Sequence, residues 1–299
     1  MSPERCIDSK RPSGGARPMS LASSTIDTSH RIRDSASHSA HRIRRPAFYL
    51  VTAAFLAFLV FALRESMTMA VNGWFAGYAF PDHRVHHVMI GGTLTVFAAT
   101  IAVQLYRPTR RVGALQAAIT FSFTAFVLTI IASGAAAAGE LLVFVVPVLL
   151  IALLHPARDQ LVPRLEHMDT RLFALAAVGA FGFAVGAVRE YVNHTTLTDG
   201  HVALGHYEFM LFTLASISAF ALLAAFRPVG WRALVYGAAA LAALFATVSL
   251  AFAGLEQGSS LGTVASLAVL LWAVGFVALA EYTRGTASKP PRSEVRETR

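Results

Sequence analysis

The sequence predicts an all-α integral membrane protein: eight transmembrane helices, built as two parallel four-helix repeats, with both termini in the cytoplasm. Three observations predict it. The chain of 299 residues is 55% hydrophobic and only 14% charged, with mean hydropathy +0.56, whereas a soluble domain carries roughly a quarter charged residues. Its apolar residues lie in continuous runs near the roughly 20 residues that a helix needs to cross the hydrocarbon core. Two stretches also answer each other. Asp82-His83-Arg84-Val85-His86-His87 opens a run that closes on Tyr106-Arg107-Pro108. Asp199-Gly200-His201-Val202-Ala203-Leu204-Gly205-His206-Tyr207-Glu208 opens another that closes on Phe226-Arg227-Pro228. His86 and His206 therefore stand at the same distance from their Arg-Pro.

Residues 1–45 are rich in Ser, Arg and His and poor in large apolar side chains. They cannot bury enough surface to offset chain entropy, which predicts a disordered basic tail. The first four-helix repeat is expected over residues 46–156. Its segments run from Pro46 to Leu63, from Val85 to Tyr106, and twice within Val112–Leu154, with breaks at Ser133-Gly134 and Gly139-Glu140. A cytoplasmic linker covers 157–171. The second repeat covers 172–283, with segments Leu172–Val188, Val202–Phe226, Ala233–Gly254 and Leu261–Tyr282, and a short tail covers 284–299. Backbone groups inside lipid must be satisfied within each segment, so these are helices. Barrel strands would alternate in polarity instead.

Orientation follows from Lys and Arg, which favour the cytoplasmic side. With the N-terminus inside, the basic clusters around Arg44, Arg110, Arg164, Arg232 and Arg292 all lie inside, and only Arg64, Arg84 and Arg189 lie outside. This suits a plasma or inner membrane. It also accounts for the net charge of +8 without nucleic acid: the bilayer is the partner. An even number of helices per repeat makes the copies parallel, related by an axis along the membrane normal.

The chain has one cysteine, Cys6, in the tail. That excludes an internal disulfide, an iron–sulfur cluster and covalent haem attachment. A metal in the membrane part must use His, Glu, Asp or Met. The outer end offers His83, His86, His87, His194, His201 and His206, joined by Glu65, Glu190 and Glu208, with Met67 and Met69 nearby. His83, His86 and His87 share one arc if the helix begins that early, and imidazole is the commonest transition-metal ligand. On a helix continuous from His201, His201 and Glu208 share a face and His206 points about 140° away. Glu208 lies inside a segment, where a charge costs a few kcal/mol, so it is the acid/base candidate. Arg64-Glu65 and Arg189-Glu190 are expected to end their helices and to pair across to each other. Glu140 and Glu256 fall in short outer turns. Trp74, Phe75, Tyr78 and Phe80 read as an interfacial aromatic belt, or as a lid over a site.

Three readings of these histidines compete. In the first, His86 and His206 hold a haem iron from both sides, or a metal ion near the axis. The layout of eight helices in two halves, with histidines toward the outer face, resembles the haem A synthase class. That class also places histidines on the last helix of each half, where this chain has none, so the resemblance implies a layout and not an activity. In the second, the histidines with Met67 and Met69 bind copper, an outline similar to eight-helix copper-resistance membrane proteins. In the third, H-x-x-H-H is similar to the histidine boxes of membrane desaturases, which lie on the opposite side of the membrane. Against all three stands the ordinary explanation, that a histidine at a helix end reaches water.

The leading expectation is a redox protein holding haem or a copper, iron or zinc ion, with an electron-transfer partner. His86 and His206 come first as ligands, and His83, His87 and His201 next. The alternative is a proton-coupled transporter of a small solute or ion using the same pocket. A third is a packing or assembly protein without a ligand.

Overall fold

The computed structural model describes residues 43–164, 166, 168–255 and 258–285. The tail expected to be disordered lies outside these residues apart from its last three, as do Glu256 and most of the C-terminal tail. The chain divides into Met1–Arg44 and Arg45–Arg299. Of the first unit only residues 43 and 44 are described, in the opening turn of the first helix.

Among the described residues all regular structure is helical. In order, the helices are α1 (Ile43–Ala62), α2 (Arg64–Asn72), α3 (Arg84–Ala102), α4 (Val112–Ser133), α5 (Ala135–Glu140), α6 (Leu142–Leu154), α7 (Thr170–Thr196), α8 (Gly200–Ala203), α9 (His206–Ala225), α10 (Arg232–Ala251) and α11 (Gly262–Tyr282). Short 3₁₀ turns extend α3 at both ends, Pro81–His83 and Val103–Leu105. Seven of these helices are long and apolar enough to cross a membrane, so the chain has the makings of a multi-pass membrane protein. The fourth expected segment is divided. The chain breaks at Gly134, and α5 and α6 follow as two shorter pieces, α6 being 13 residues long. At 1.5 Å per residue that is about 20 Å, less than the hydrocarbon core.

α3, α9 and α10 are the most buried of the long helices, and α1, α7 and α11 the least. α9 packs along α7 and also meets α4, α10 and α3. Met89, Leu115, Met210, Leu214 and Phe245 fill the space between these helices. α7 and α11 turn Val178, Phe181, Val185, Leu271 and Val274 outward, the surface that lipid would cover.

Three boundaries differ from expectation. Arg64-Glu65 does not end a helix; it opens α2, which continues for nine residues against α3. Arg189-Glu190 does not end a helix either, because α7 runs on to Thr196. α9 begins at His206, after the separate turn α8, because Gly205 sits at φ +68° and stops one helix before the other starts. Charges and polar residues mark where lipid is expected to end, but a helix continues past that point when it has something to pack on.

At the end of the bundle opposite α8, Arg107 and Arg227 are the non-glycine residues with positive φ among those described, at 50° and 51°. Both are followed by proline, which disfavours the ordinary helical conformation in the residue before it. Arg227 donates to Asp169 Oδ2 at 2.7 Å and to Ala280 O at 2.9 Å, and also meets Thr283. Asp169 in turn accepts from Leu172 N at 3.1 Å and caps α7. Gly113 N donates to Val229 O at 2.8 Å, joining the start of α4 to the turn before α10.

Some buried hydroxyls in the helices donate to a carbonyl one turn back, as Thr52 does to Phe48 and Ser216 to Phe212. Thr93, Ser122, Thr213 and Ser266 are buried with hydroxyl oxygens that have no partner. Of these, Thr93 and Thr213 each stand seven residues after a histidine, His86 or His206, on the same helix face.

Candidate metal centre

The N-terminal ends of α3 and α9 lie side by side and bring five imidazoles together. α3 supplies His86 and His87, the turn before it His83, α9 supplies His206, and α8 supplies His201. His86 and His206 stack with ring centroids 5.0 Å apart and planes 20° apart. His201 lies 4.3 Å from His83 and 4.5 Å from His86 by the same measure. His86, His87 and His206 are buried.

Gly205 makes this cluster. A helix continuous from His201 would carry His206 about 140° away from it. The left-handed turn at Gly205 folds α8 back, and the two Nδ1 atoms come within 3.4 Å. Asp199 holds α8 there: it accepts from Val202 N at 3.0 Å and from the Tyr207 hydroxyl at 2.9 Å. Burial pushes the Asp199 carboxyl up, but the Val202 N–H, the Tyr207 hydroxyl and His201 outweigh it and hold its pKa below the usual value. It is therefore ionised at neutral pH and accepts from both.

His206 Nδ1 is also 3.1 Å from His83 Nδ1. One ring nitrogen carries either one proton or one lone pair, so it makes one good hydrogen bond. His206 Nδ1 faces two nitrogens. A cation satisfies what a proton cannot: ligand nitrogens about 2.0–2.1 Å from a tetrahedral ion lie about 3.3–3.4 Å from one another. Two groups of three have all their ligand atoms within 4.8 Å of one another: His83, His87 and His206, and His86, His201 and His206. The five histidines expected from the sequence as ligands are thus brought together in one cluster.

The outer contacts decide which nitrogen each ring presents. Ser259, in the loop between α10 and α11, donates its hydroxyl to Glu190 Oε2 at 2.6 Å. Having given its proton away, it accepts from His86 Nε2 at 2.7 Å. His86 therefore carries its proton on Nε2, and its buried Nδ1, which has no partner, keeps a lone pair. A ligand histidine whose far nitrogen donates to a hydroxyl–carboxylate pair is a recurring support for bound metals. Arg189 fixes the same loop by donating to Gly258 O at 3.0 Å and Ser260 O at 3.2 Å. At Gly258 a Cβ would meet the Tyr207 hydroxyl at 3.0 Å and His86 Cε1 at 3.1 Å; glycine there lets the loop close on the imidazoles.

On the other side, the Tyr78 hydroxyl is 2.5 Å from His87 Nδ1. Burial holds the Tyr78 phenol above its usual pKa, Arg84 pulling the other way, so it is protonated at neutral pH. When His87 donates from Nδ1 to the phenol oxygen, its Nε2 lone pair is free for an ion. Buried Arg84 fastens the loop carrying Tyr78: it donates to Gly73 O at 2.7 Å and Phe75 O at 2.9 Å, and lies 5.0 Å over the Phe252 ring. Of the four loop aromatics, Tyr78 and Phe80 reach the imidazoles, Phe80 at 5.5 Å from His87 by ring centroids. Trp74 packs instead on Phe252.

Other candidates lie elsewhere. His194 Nε2 meets Ser133 Oγ at 3.0 Å, outside both groups of three. Met67 packs against the apolar core. Glu65 is exposed, 3.9 Å from its neighbour Arg64, and Arg189 and Glu190 are both engaged with the loop after α10. The two Arg-Glu pairs do not join each other as expected, because α2 turns one outward while the continuous α7 carries the other inward. Glu140 is exposed at the end of α5. Glu208 lies about 200° round the helix from His206 and belongs to neither group of three. Its Oε1 is buried without a partner. Sequence reasoning undervalues Glu190, counted as a structural partner, and misses Ser259.

His201, on α8, gives a pH dependence. Burial lowers its pKa, the neighbouring charge of His83 lowers it further, and Asp199 and Asp82 oppose both. The folded protein thus prefers the neutral ring. Below the unfolded value of about 6.5 the unfolded chain binds the extra proton first, so stability is complete above about pH 6.5 and falls as pH drops toward the lowered value. The thermal midpoint in detergent is expected to fall between pH 7.5 and pH 5, and to fall less in His201→Asn.

No family model matches the chain, and no curated protein or solved structure is similar to it at a significant level.

Proposed function

We propose that the protein is a multi-pass membrane protein that binds a transition-metal ion through its imidazole cluster and uses it for redox chemistry. The observation that carries this is His206 Nδ1, 3.1 Å and 3.4 Å from two other imidazole nitrogens, a crowding suited to metal ligands and poorly suited to protons. Neutral nitrogen ligands without thiolate suit copper, iron or zinc, and the first two change oxidation state. The packing favours a bare ion over haem. A porphyrin held by His86 and His206 needs a flat slot between them. Those rings stack at 5.0 Å, and His201 lies 4.5 Å from His86. Phe80, 52% exposed and against His87, offers an electron partner a short route to the cluster.

The arginine asymmetry supports placing this centre at the outer surface, with both termini in the cytoplasm. Two parallel repeats are supported by the equal spacing of His86 from Arg107 and of His206 from Arg227, and by the left-handed turn at both arginines. The axis would then pass between His86 and His206.

The second reading is a proton-coupled transporter of a small solute or ion, with Glu208 as the proton carrier. Thr93 and Thr213, whose buried hydroxyls lack partners below the cluster, favour it.

Elemental analysis and an absorption spectrum of protein purified in mild detergent test the proposal. At least one copper, iron or zinc per chain is expected. A Soret band that vanishes in His86→Ala would replace the ion by haem. No metal, together with uptake driven by a pH gradient in vesicles, would select the transporter.

A further inference from the structure

The cluster holds more imidazoles than one tetrahedral ion uses, and they fall into two sets. His83 and His87 belong to one, His86 and His201 to the other, and His206 alone belongs to both. Each set also has its own outer support, on opposite sides of the cluster. Tyr78 holds Nδ1 of His87 at 2.5 Å. Ser259, itself bonded to Glu190, holds Nε2 of His86 at 2.7 Å. The supports act on different ring edges, so His87 offers Nε2 and His86 offers Nδ1. Each set thus has a member whose far nitrogen is already held by the protein, as the far nitrogens of metal-bound histidines commonly are.

We infer, on the basis of the metal-binding reading above, that the centre takes two transition-metal ions. One is held by His83, His87 and His206, the other by His86, His201 and His206. A nitrogen has one lone pair, so His206 cannot serve both ions through Nδ1. It serves them through its two ring nitrogens, which requires the ring to turn and its remaining proton to leave for solvent as the second ion binds. The covalent balance is simple: one N–H bond of His206 breaks, one metal–nitrogen bond forms, and no electrons are transferred. Water or hydroxide completes each coordination sphere.

The test is a metal titration of the intact, detergent-purified protein, first stripped with a chelator and then given Cu(II) or Zn(II) salt alone. Bound metal is read by elemental analysis after desalting, and proton release with a pH indicator. Two ions per chain are expected at saturation, with an extra proton released during the second equivalent and a copper EPR signal weakened by coupling between the ions. His87→Ala and His86→Ala, each confirmed as folded by circular dichroism and gel filtration, are expected to keep one ion and to show an uncoupled signal. Saturation of the unaltered protein at one ion overturns the two-ion centre and leaves the metal-binding reading standing. Saturation at zero overturns both. The count on the unaltered protein decides the matter even if a variant fails to fold.

Discussion

His206→Ala is expected to abolish transition-metal binding, a loss of more than about 100-fold in affinity, beyond the 10–100-fold typical of changes outside the ligand set. No other imidazole belongs to both groups of three, and both short nitrogen–nitrogen distances in the cluster end on its Nδ1. Removing that ring leaves each ion two nitrogens. The fold should tolerate the change: His206 is the first residue of α9, preceded by Gly205, so no helix interior is disturbed. Competition against a coloured chelator measures the affinity. His194→Ala is the control, because that ring sits on Ser133 and its loss should change nothing. Retained binding in His206→Ala would refute the cluster as the metal site.

The second large effect is expected at Glu190, which touches no ion. Its carboxylate accepts the Ser259 hydroxyl hydrogen bond, which leaves the serine oxygen to accept from His86 Nε2. In Glu190→Leu the hydroxyl has no carboxylate to donate to, and it can donate to His86 Nε2 instead. The ring proton then moves to Nδ1, the edge that must ligate. Metal affinity is expected to fall about 10–100-fold. Binding must then first return the ring proton to Nε2, against the Ser259 hydroxyl; both tautomers are neutral, so the cost appears in affinity and not in protons released. Glu190→Gln, which still accepts the Ser259 hydrogen bond, should restore most of the affinity. A purely structural role for Glu190 would lower stability in both variants, and the affinity would not recover in Glu190→Gln.

The long helices were legible because lipid allows little else. A run of apolar residues that must satisfy its own backbone is a helix, and α4, α10 and α11 begin and end close to where their residues say. The ends facing the histidine cluster were less legible. Arg64-Glu65 has the chemistry of a boundary, but α2 carries the helix on because it has α3 to lie against. His201 was misplaced by one dihedral angle. Gly205 was visible in the sequence, but a glycine does not announce which conformation it takes. A polar turn, Asp199-Gly200, followed five residues later by glycine was the available hint that α8 and α9 are separate. The five imidazoles were legible as a set because they are few and grouped. Ser259 was not: a serine in a short loop carries no mark of the helix it will touch.

Beneath the imidazoles the packing is largely apolar. One turn below His86 comes Met89, and one turn below His206 comes Met210, both fully buried; Thr93 and Thr213 wait a further turn down. A hydrated cation stepping off the cluster toward the arginine-bearing end would first have to shed its water among thioethers and aliphatic chains. An ion held as proposed would therefore have to leave on the side away from this packing.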